Sequence, residues 1–339
     1  MPLAKYLLKK TGWYLLAFAV ALVLNFVLPR LIPGNPVDAI VGAGGAGGGG
    51  ASSEQMERAH DYYIEAFGLD KSMFEQFWVY LANMVQGDFG VSFVQYPGTV
   101  AELVGPALPW TLALQLPAIL IGWIVGNLLG AIAAYKGGLF DKGAFISSLF
   151  LSAMPYYCLA ILLLYGLAVA VEWFPSQGGY SVTYWAEPEL SVGFVVDALR
   201  HYWLPFFSLV IVFIGGQAIG MRSMAVYELG SDYVNYGRGL GLGDGRIVRY
   251  IFRNAMLPQV TGLALSIGAL VSGALVTELV FNYPGVGTVL FDAISNNDYP
   301  VIQATVLLIT IGVLIANYLV EVAYGFIDPR IRASEAGER

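Results

Sequence analysis

Apolar residues run along this chain in long blocks, at about 11–29, 109–135, 143–171, 203–221, 259–280 and 301–324. An α-helix rises about 1.5 Å per residue, so roughly 20 apolar residues cross the hydrocarbon core of a bilayer. The pattern predicts an all-α polytopic membrane protein with six transmembrane helices. Pro117 and Pro155 fall inside the second and third blocks. Each marks a place for a kink, which membrane helices tolerate when neighbours satisfy the freed carbonyl. The first block, 12–28, is longer than the roughly 7–15 residues of a signal-peptide core, and no A-x-A-like site comes after it, so it is expected to stay as the first span.

The longest region between blocks is 30–108. It contains a glycine tract at 42–50, which cannot bury a core and reads as a loop. Segments 54–67 and 73–85 read as short amphipathic helices. In the second, Phe74, Phe77, Trp78, Leu81, Met84 and Val85 keep helical spacing, so it is expected on the outer ends of the spans or in the membrane interface. The segment 172–202 is turn-rich. In 282–300, Pro284, Gly285 and Gly287 mark turns and 288–294 reads as a short helix. Gly122, Gly126 and Gly130 recur every four residues on one helix face, where small side chains let helices approach closely.

Composition agrees with the blocks. The chain is 57% hydrophobic and 12% charged, against about a quarter charged in soluble domains, with mean hydropathy +0.66. A net charge of −7 without a basic arm argues against nucleic acid. Basic residues fall on alternate sides. Lys5, Lys9, Lys10, Lys136, Lys142, Arg222, Arg238, Arg246, Arg249, Arg253, Arg330, Arg332 and Arg339 share one side, and only Arg30, Arg58, Lys71 and Arg200 occupy the other. Positive charge concentrates on the cytoplasmic side of short loops, so both termini are expected inside.

Most catalytic chemistry has no support in the sequence. The dipeptide Gly-Lys does not occur, so no Walker phosphate loop can form. Two distant histidines, His60 and His201, and one cysteine, Cys158, assemble no metal site or nucleophile–base pair. No catalytic residue, metal ligand or cofactor is expected. Few polar groups lie within spans: Glu278, Gln115, Gln217 and Asn317 are candidates for lining a pathway, with interhelical hydrogen bonding as the alternative. A secondary transporter or channel would call for inverted repeats, midplane helix breaks or a charged pathway, and none is visible.

One inner segment, 231–258, is polar, glycine-punctuated and rich in arginine. Its runs Asp232-Tyr-Val-Asn-Tyr-Gly-Arg-Gly-Leu-Gly-Leu242 and Arg253-Asn-Ala-Met-Leu-Pro258 resemble the cytosolic loop of ABC importer permeases, in the dipeptide/oligopeptide/nickel branch of the binding-protein-dependent permeases. Further motifs occur in that family's order: Tyr6-Leu-Leu-Lys-Lys10, Arg30-Leu-Ile-Pro-Gly-Asn-Pro36, Gly68-Leu-Asp70, Gly87-Asp-Phe-Gly90, Phe174-Pro-Ser176, Tyr283-Pro-Gly-Val-Gly287, Asp298-Tyr-Pro300 and Asp328-Pro-Arg-Ile-Arg332.

The resemblance implies the type I ABC importer permease fold. It divides the chain into 1–106 (first span and long extracytoplasmic segment), 107–328 (permease core) and 329–339 (cytosolic tail). It implies that 231–258 holds a coupling helix seated on a separate cytosolic ATPase, with Asp232, Arg238, Leu240, Gly241, Leu242, Arg246, Arg253, Leu257 and Pro258 at the contact. Asp232 is expected to cap that helix, and Leu257-Pro258 to end the element and start the fifth span. The remaining implied partners are a second homologous permease, an extracytoplasmic solute-binding protein and membrane lipid. The solute implied first is an oligopeptide, with oligosaccharides or nickel as alternatives.

Overall fold

The computed structural model describes residues 2–30, 64, 70–95 and 97–327. The glycine tract at 42–50, the expected helix at 54–67 apart from Ile64, and the tail 329–339 lie outside them. The described helices are α1 (Pro2–Arg30), α2 (Met73–Val85), α3 (Val100–Lys136), α4 (Gly138–Ala153), α5 (Tyr156–Leu163, continued by a π-helical segment Leu164–Ala170), α6 (Val192–Leu229), α7 (Asp232–Gly239), α8 (Asp244–Val280), α9 (Val286–Ser295) and α10 (Tyr299–Ile327). Among the described residues the only strand-like pairing is a single bridge between Val91 and Thr99.

Among the described residues four helices are long and apolar enough to cross a membrane, over Leu7–Val27, Val100–Lys136, Val192–Leu229 and Tyr299–Val322. The third apolar block is not one straight rod. α4 and the α5 segment pass the same test together but are bent by 98°. The break falls at Pro155. Proline lacks an N–H and pushes its predecessor out of the helical region, and Met154 is extended at φ −85°, ψ 126°.

α8 corrects the expected start of the fifth span. It begins at Asp244 and runs unbroken through Pro258 to Val280. Pro258 removes one rung of the helical ladder. The buried stripe Ile247, Ile251, Ala255 and Gln259 keeps a four-residue spacing across it, so packing holds the helix on both sides.

The described residues form two compact units, one within 1–14, 110–287 and 313–327, the other within 15–30, 70–109 and 288–312. The first is built on α6. Its core joins Leu114 and Ala118 of α3, Ala160 of α5, Leu204, Leu209 and Val210 of α6, and Phe281 and Tyr283 after α8. The three-glycine face of α3 lies against α6. A Cβ on Gly122 would sit 2.7 Å from the Phe213 ring and one on Gly126 2.6 Å from Gln217 Cβ, while one on Gly130 would strike the Ala218 carbonyl. These glycines set the α3–α6 separation.

In the second unit, Val100, Val104, Ala293, Val301, Ile302 and Ala304 form a core. Asp298 joins two segments there: its carboxylate accepts from the Ser92 hydroxyl, from the Phe93 N–H at 3.1 Å and from the Val94 N–H at 3.3 Å. α2 spans the expected residues. Ser72 and Glu75 cap it reciprocally, the Glu75 N–H donating to Ser72 Oγ at 3.3 Å and the Ser72 N–H to Glu75 Oε2 at 3.1 Å.

Candidate functional site

The segment 231–258 folds as α7, a tight turn and the first turns of α8. Ser231, not Asp232, occupies the N-cap position, and its hydroxyl donates to the Glu228 carbonyl at 2.5 Å. Asp232 instead stands exposed in the first turn, where a carboxylate favours the positive end of the helix dipole.

α7 ends in a Schellman turn: the Gly241 N–H donates to the Arg238 carbonyl at 3.0 Å and the Leu242 N–H to the Gly237 carbonyl at 3.1 Å. Gly241 has φ +71°, a conformation that residues with a Cβ adopt at a cost. The turn folds Leu242 back over Gly237, whose added Cβ would lie 3.3 Å from Leu242 Cδ1.

This geometry gives the segment two faces. Val234, Ile247 and Ile251 are buried with Ala134 of α3 and Ala225 of α6, and Tyr135, Leu229, Tyr233 and Leu242 pack around them. Leu242 is therefore half-buried in the protein's own core, not offered outward. On the other face Leu240 is 62% and Tyr236 70% exposed. Arg238, Arg246, Arg249 and Arg253 are also exposed, and so is Pro258. Leu257 lies in α8, four residues after Arg253.

Two polar contacts tie this segment and its neighbours together. Tyr135 donates to Asp244 at 2.6 Å, joining the end of α3 to the start of α8. Arg222 of α6 holds Asp141 of α4 through two bonds of 2.6 and 2.5 Å, while its guanidinium lies 4.6 Å from the Phe145 ring centroid. That pair holds the Asp141 carboxyl below its ordinary range. The sequence pattern did not pair them, because they are 81 positions apart.

The polar candidates within spans occupy different surroundings. Glu278 is 0% exposed. Its carboxylate accepts from the Thr111 hydroxyl at 2.8 Å and from the Gly287 N–H at 2.7 Å, and Thr111 Oγ1 accepts from the Val286 N–H at 2.8 Å. Tyr283-Pro-Gly-Val-Gly287 thus wraps the carboxylate. A Cβ on Gly285 would strike the carboxylate itself, and one on Gly287 would lie 2.6 Å from the Leu275 carbonyl.

A second Schellman turn makes the wrap. The Asn282 N–H donates to Leu279 at 3.1 Å and the Tyr283 N–H to Glu278 at 2.8 Å, with Asn282 at φ +46°. Thr111 was not singled out from sequence. A lone threonine in an apolar block looks like any other small residue until its partner is known.

Gln115 is buried one turn beyond Thr111 on the same face of α3, and its Nε2 has no hydrogen-bond partner among the described residues. Gln217 is buried against Gly126, and Asn317 is half-buried in α10. The bonds that enclose Glu278 run to Thr111 and Gly287, not to Gln115, Gln217 or Asn317. The described residues contain no group of three His, Cys, Asp or Glu able to hold a metal ion.

Helices long and apolar enough to cross a membrane, with an exposed basic turn between two of them, are what a membrane transport subunit presents. Residues 126–333 match the family described as binding-protein-dependent transport system inner membrane component, and the chain belongs to that family. It is 34% identical over 340 residues to the di/tripeptide transport system permease protein DppB of Pseudomonas aeruginosa (strain UCBPP-PA14), covering 96% of this chain and 98% of that one. It is 32% identical over 346 residues to the dipeptide transport system permease protein DppB of Escherichia coli (strain K12), covering 97% and 98%. It is 29% identical over 331 residues to the oligopeptide transport system permease protein AppB of Bacillus subtilis (strain 168), covering 97% and 99%. The chain is thus an inner-membrane transport subunit and not an enzyme, and the secondary-transporter reading falls away.

Proposed function

We propose that this chain forms half of the translocation pathway of an ATP-driven importer for short peptides. Both termini lie inside, and α8 and the bent α4–α5 pair complete six crossings. The alternating placement of Lys and Arg supports that orientation. The peptide class is supported by the three relatives, each named for peptide transport over nearly its full length. None of the three supports the oligosaccharide alternative.

The observation that carries the proposal is the two-faced segment 231–258. Its inner face is locked to α3 and α6, while Tyr236, Arg238, Leu240, Arg246 and Arg253 are left on the outside. Cationic fork-shaped side chains around one apolar anchor suit a groove on another protein with acidic groups at its rim. We assign that groove to a cytosolic ATPase subunit.

The cluster around Val234 and Ile251, the Tyr135–Asp244 bond and the Arg222–Asp141 pair connect α7 to the ends of α3, α4, α6 and α8. A push on α7 therefore moves four helix ends together. A second permease closes the other half of the pathway, and a binding protein delivers the peptide from outside. The enclosed Glu278 acts as an interhelical clamp within this half.

The test is co-purification and transport. The wild-type chain, expressed with its operon partners, should bring down an ATPase, and Arg238→Glu with Arg246→Glu should lose it while the chain still inserts and keeps its melting temperature. A chain that imports peptide alone in liposomes, with no ATPase, would overturn the proposal.

A further inference from the structure

α2 is anchored to the end of a membrane span and leaves half of its apolar surface uncovered. At about 100° per residue, Phe74, Trp78, Ala82 and Val85 fall within an arc of about 80°. Phe74 is 70%, Trp78 56% and Val85 82% exposed. The two rings meet edge to face at 6.0 Å, so the stripe is a continuous surface. The neighbouring arc is held by α1. Phe77 packs edge to face on Phe26 at 5.2 Å, and the Asn25 amide donates to the Tyr80 hydroxyl at 3.1 Å. The polar residues Glu75, Asn83 and Gln86 fall on the remaining side.

The attachment point fixes the depth of α2. α1 is apolar enough to cross a membrane over Leu7–Val27, and Leu15, Leu16, Val20, Val23 and Leu24 are exposed along it. Arg30 closes that helix. Its guanidinium stacks on Phe26 at 3.6 Å and donates to Gln76 of α2 at 3.2 Å. An arginine in the last turn of a span reaches for the headgroups, so Arg30 marks the edge of the hydrocarbon. α2 is bonded at that edge.

We propose that α2 is an interfacial helix whose Phe74–Trp78–Val85 stripe inserts among lipid chains beside the end of α1. The occupant is lipid. The stripe carries no charge and α2 is held at the end of α1, a helix that itself exposes apolar side chains, and an aromatic pair above an apolar tip suits the headgroup boundary. Which leaflet it enters depends on the orientation proposed above; the lipid contact does not.

The experiment places single cysteines in a Cys158→Ala background at Phe74, Trp78 and Val85, with Lys71 and Gln86 as polar references, one per variant. The assembled transporter is spin-labelled, reconstituted in nanodiscs, and scored for collisions with oxygen, which partitions into lipid, and with a water-soluble nickel chelate. The expected result is an oxygen-to-nickel ratio several-fold higher at 74, 78 and 85 than at 71 and 86. Equal ratios at all five positions would overturn the proposal in favour of solvent. Protection from both agents at 74 and 78 would overturn it in favour of a protein partner. Retained ATP-driven uptake in the same variants separates either failure from a failure of the permease assignment.

Discussion

Two turns in this chain use the same backbone device and deliver opposite surfaces. α7 and α8 each end in a Schellman turn with a residue in the left-handed region, Gly241 after α7 and Asn282 after α8. After Gly241 the chain turns one side inward through Leu242 and leaves Tyr236, Arg238 and Leu240 outside. After Asn282 the chain folds over itself, burying Tyr283 at 1% exposure and enclosing the Glu278 carboxylate. Local hydrogen bonding sets where a helix stops, and the residues beyond the turn decide whether it becomes an interface or a lock. Glycine offers no side chain at all, whereas asparagine tolerates the left-handed conformation where no close approach is needed.

Breaking the lock should have the largest effect on stability. Glu278→Ala leaves the Thr111 hydroxyl and the Gly287 N–H buried without their acceptor, at about 1–3 kcal/mol for each such group. A lower melting temperature in detergent and loss of uptake are expected together, and Glu278→Gln should recover part of both. An unchanged melt for the alanine variant would show that Glu278 is not a clamp.

Next is the turn itself. Gly241→Val forces a β-branched residue to φ +71° and should cost about 1–2 kcal/mol. Gly241→Asn should cost less, because asparagine tolerates that region. If the two substitutions melt alike, the left-handed requirement is absent.

Smaller still is the pH response of the Arg222–Asp141 pair. The bonded guanidinium depresses the Asp141 carboxyl in the folded state. Its contribution is therefore complete above the ordinary aspartate value of about 3.9, and is lost as pH falls through the lower folded value. Asp141→Asn should lower stability at neutral pH and flatten that acid limb, so that the two proteins converge below the folded value. Equal acid limbs in the two proteins would contradict the pairing.

The smallest effect on stability belongs to the exposed face. Arg238→Glu should shift the melt by no more than about 0.5 kcal/mol, the usual range for a surface change, while uptake falls steeply. That contrast separates the interface from the lock.

The apolar blocks made the helices legible, and the ordered motifs made the family legible. The four-residue glycine spacing on α3 pointed to a close approach, and the contacts with Phe213 and Gln217 supply its partner. The start of α8 was not legible. Pro258 reads as a helix start by local rules, but the Ile247–Ile251–Ala255 stripe, which faces α3 and α6, outweighs it. The cap of α7 was off by one residue because Ser231 and Asp232 both suit the position.

Glu278 carried two readings, pathway or interhelical bond. Sequence could not choose between them, because Thr111 lies 167 positions away and Gly287 supplies only a backbone N–H. Arg222 and Asp141 were invisible as a pair for the same reason: long-range contacts leave no trace in local pattern.

Transport by this chain rests on the proposed contact between the outward face of α7 and an ATPase. A photo-crosslinking amino acid is placed at Tyr236 or Leu240, and at Tyr184, between α5 and α6, as a reference on the side proposed to face outward, in the assembled transporting complex. Covalent adducts with the ATPase are expected from Tyr236 and Leu240 and none from Tyr184. An intact, transporting complex in which neither Tyr236 nor Leu240 reaches the ATPase, or in which Tyr184 does, would contradict it.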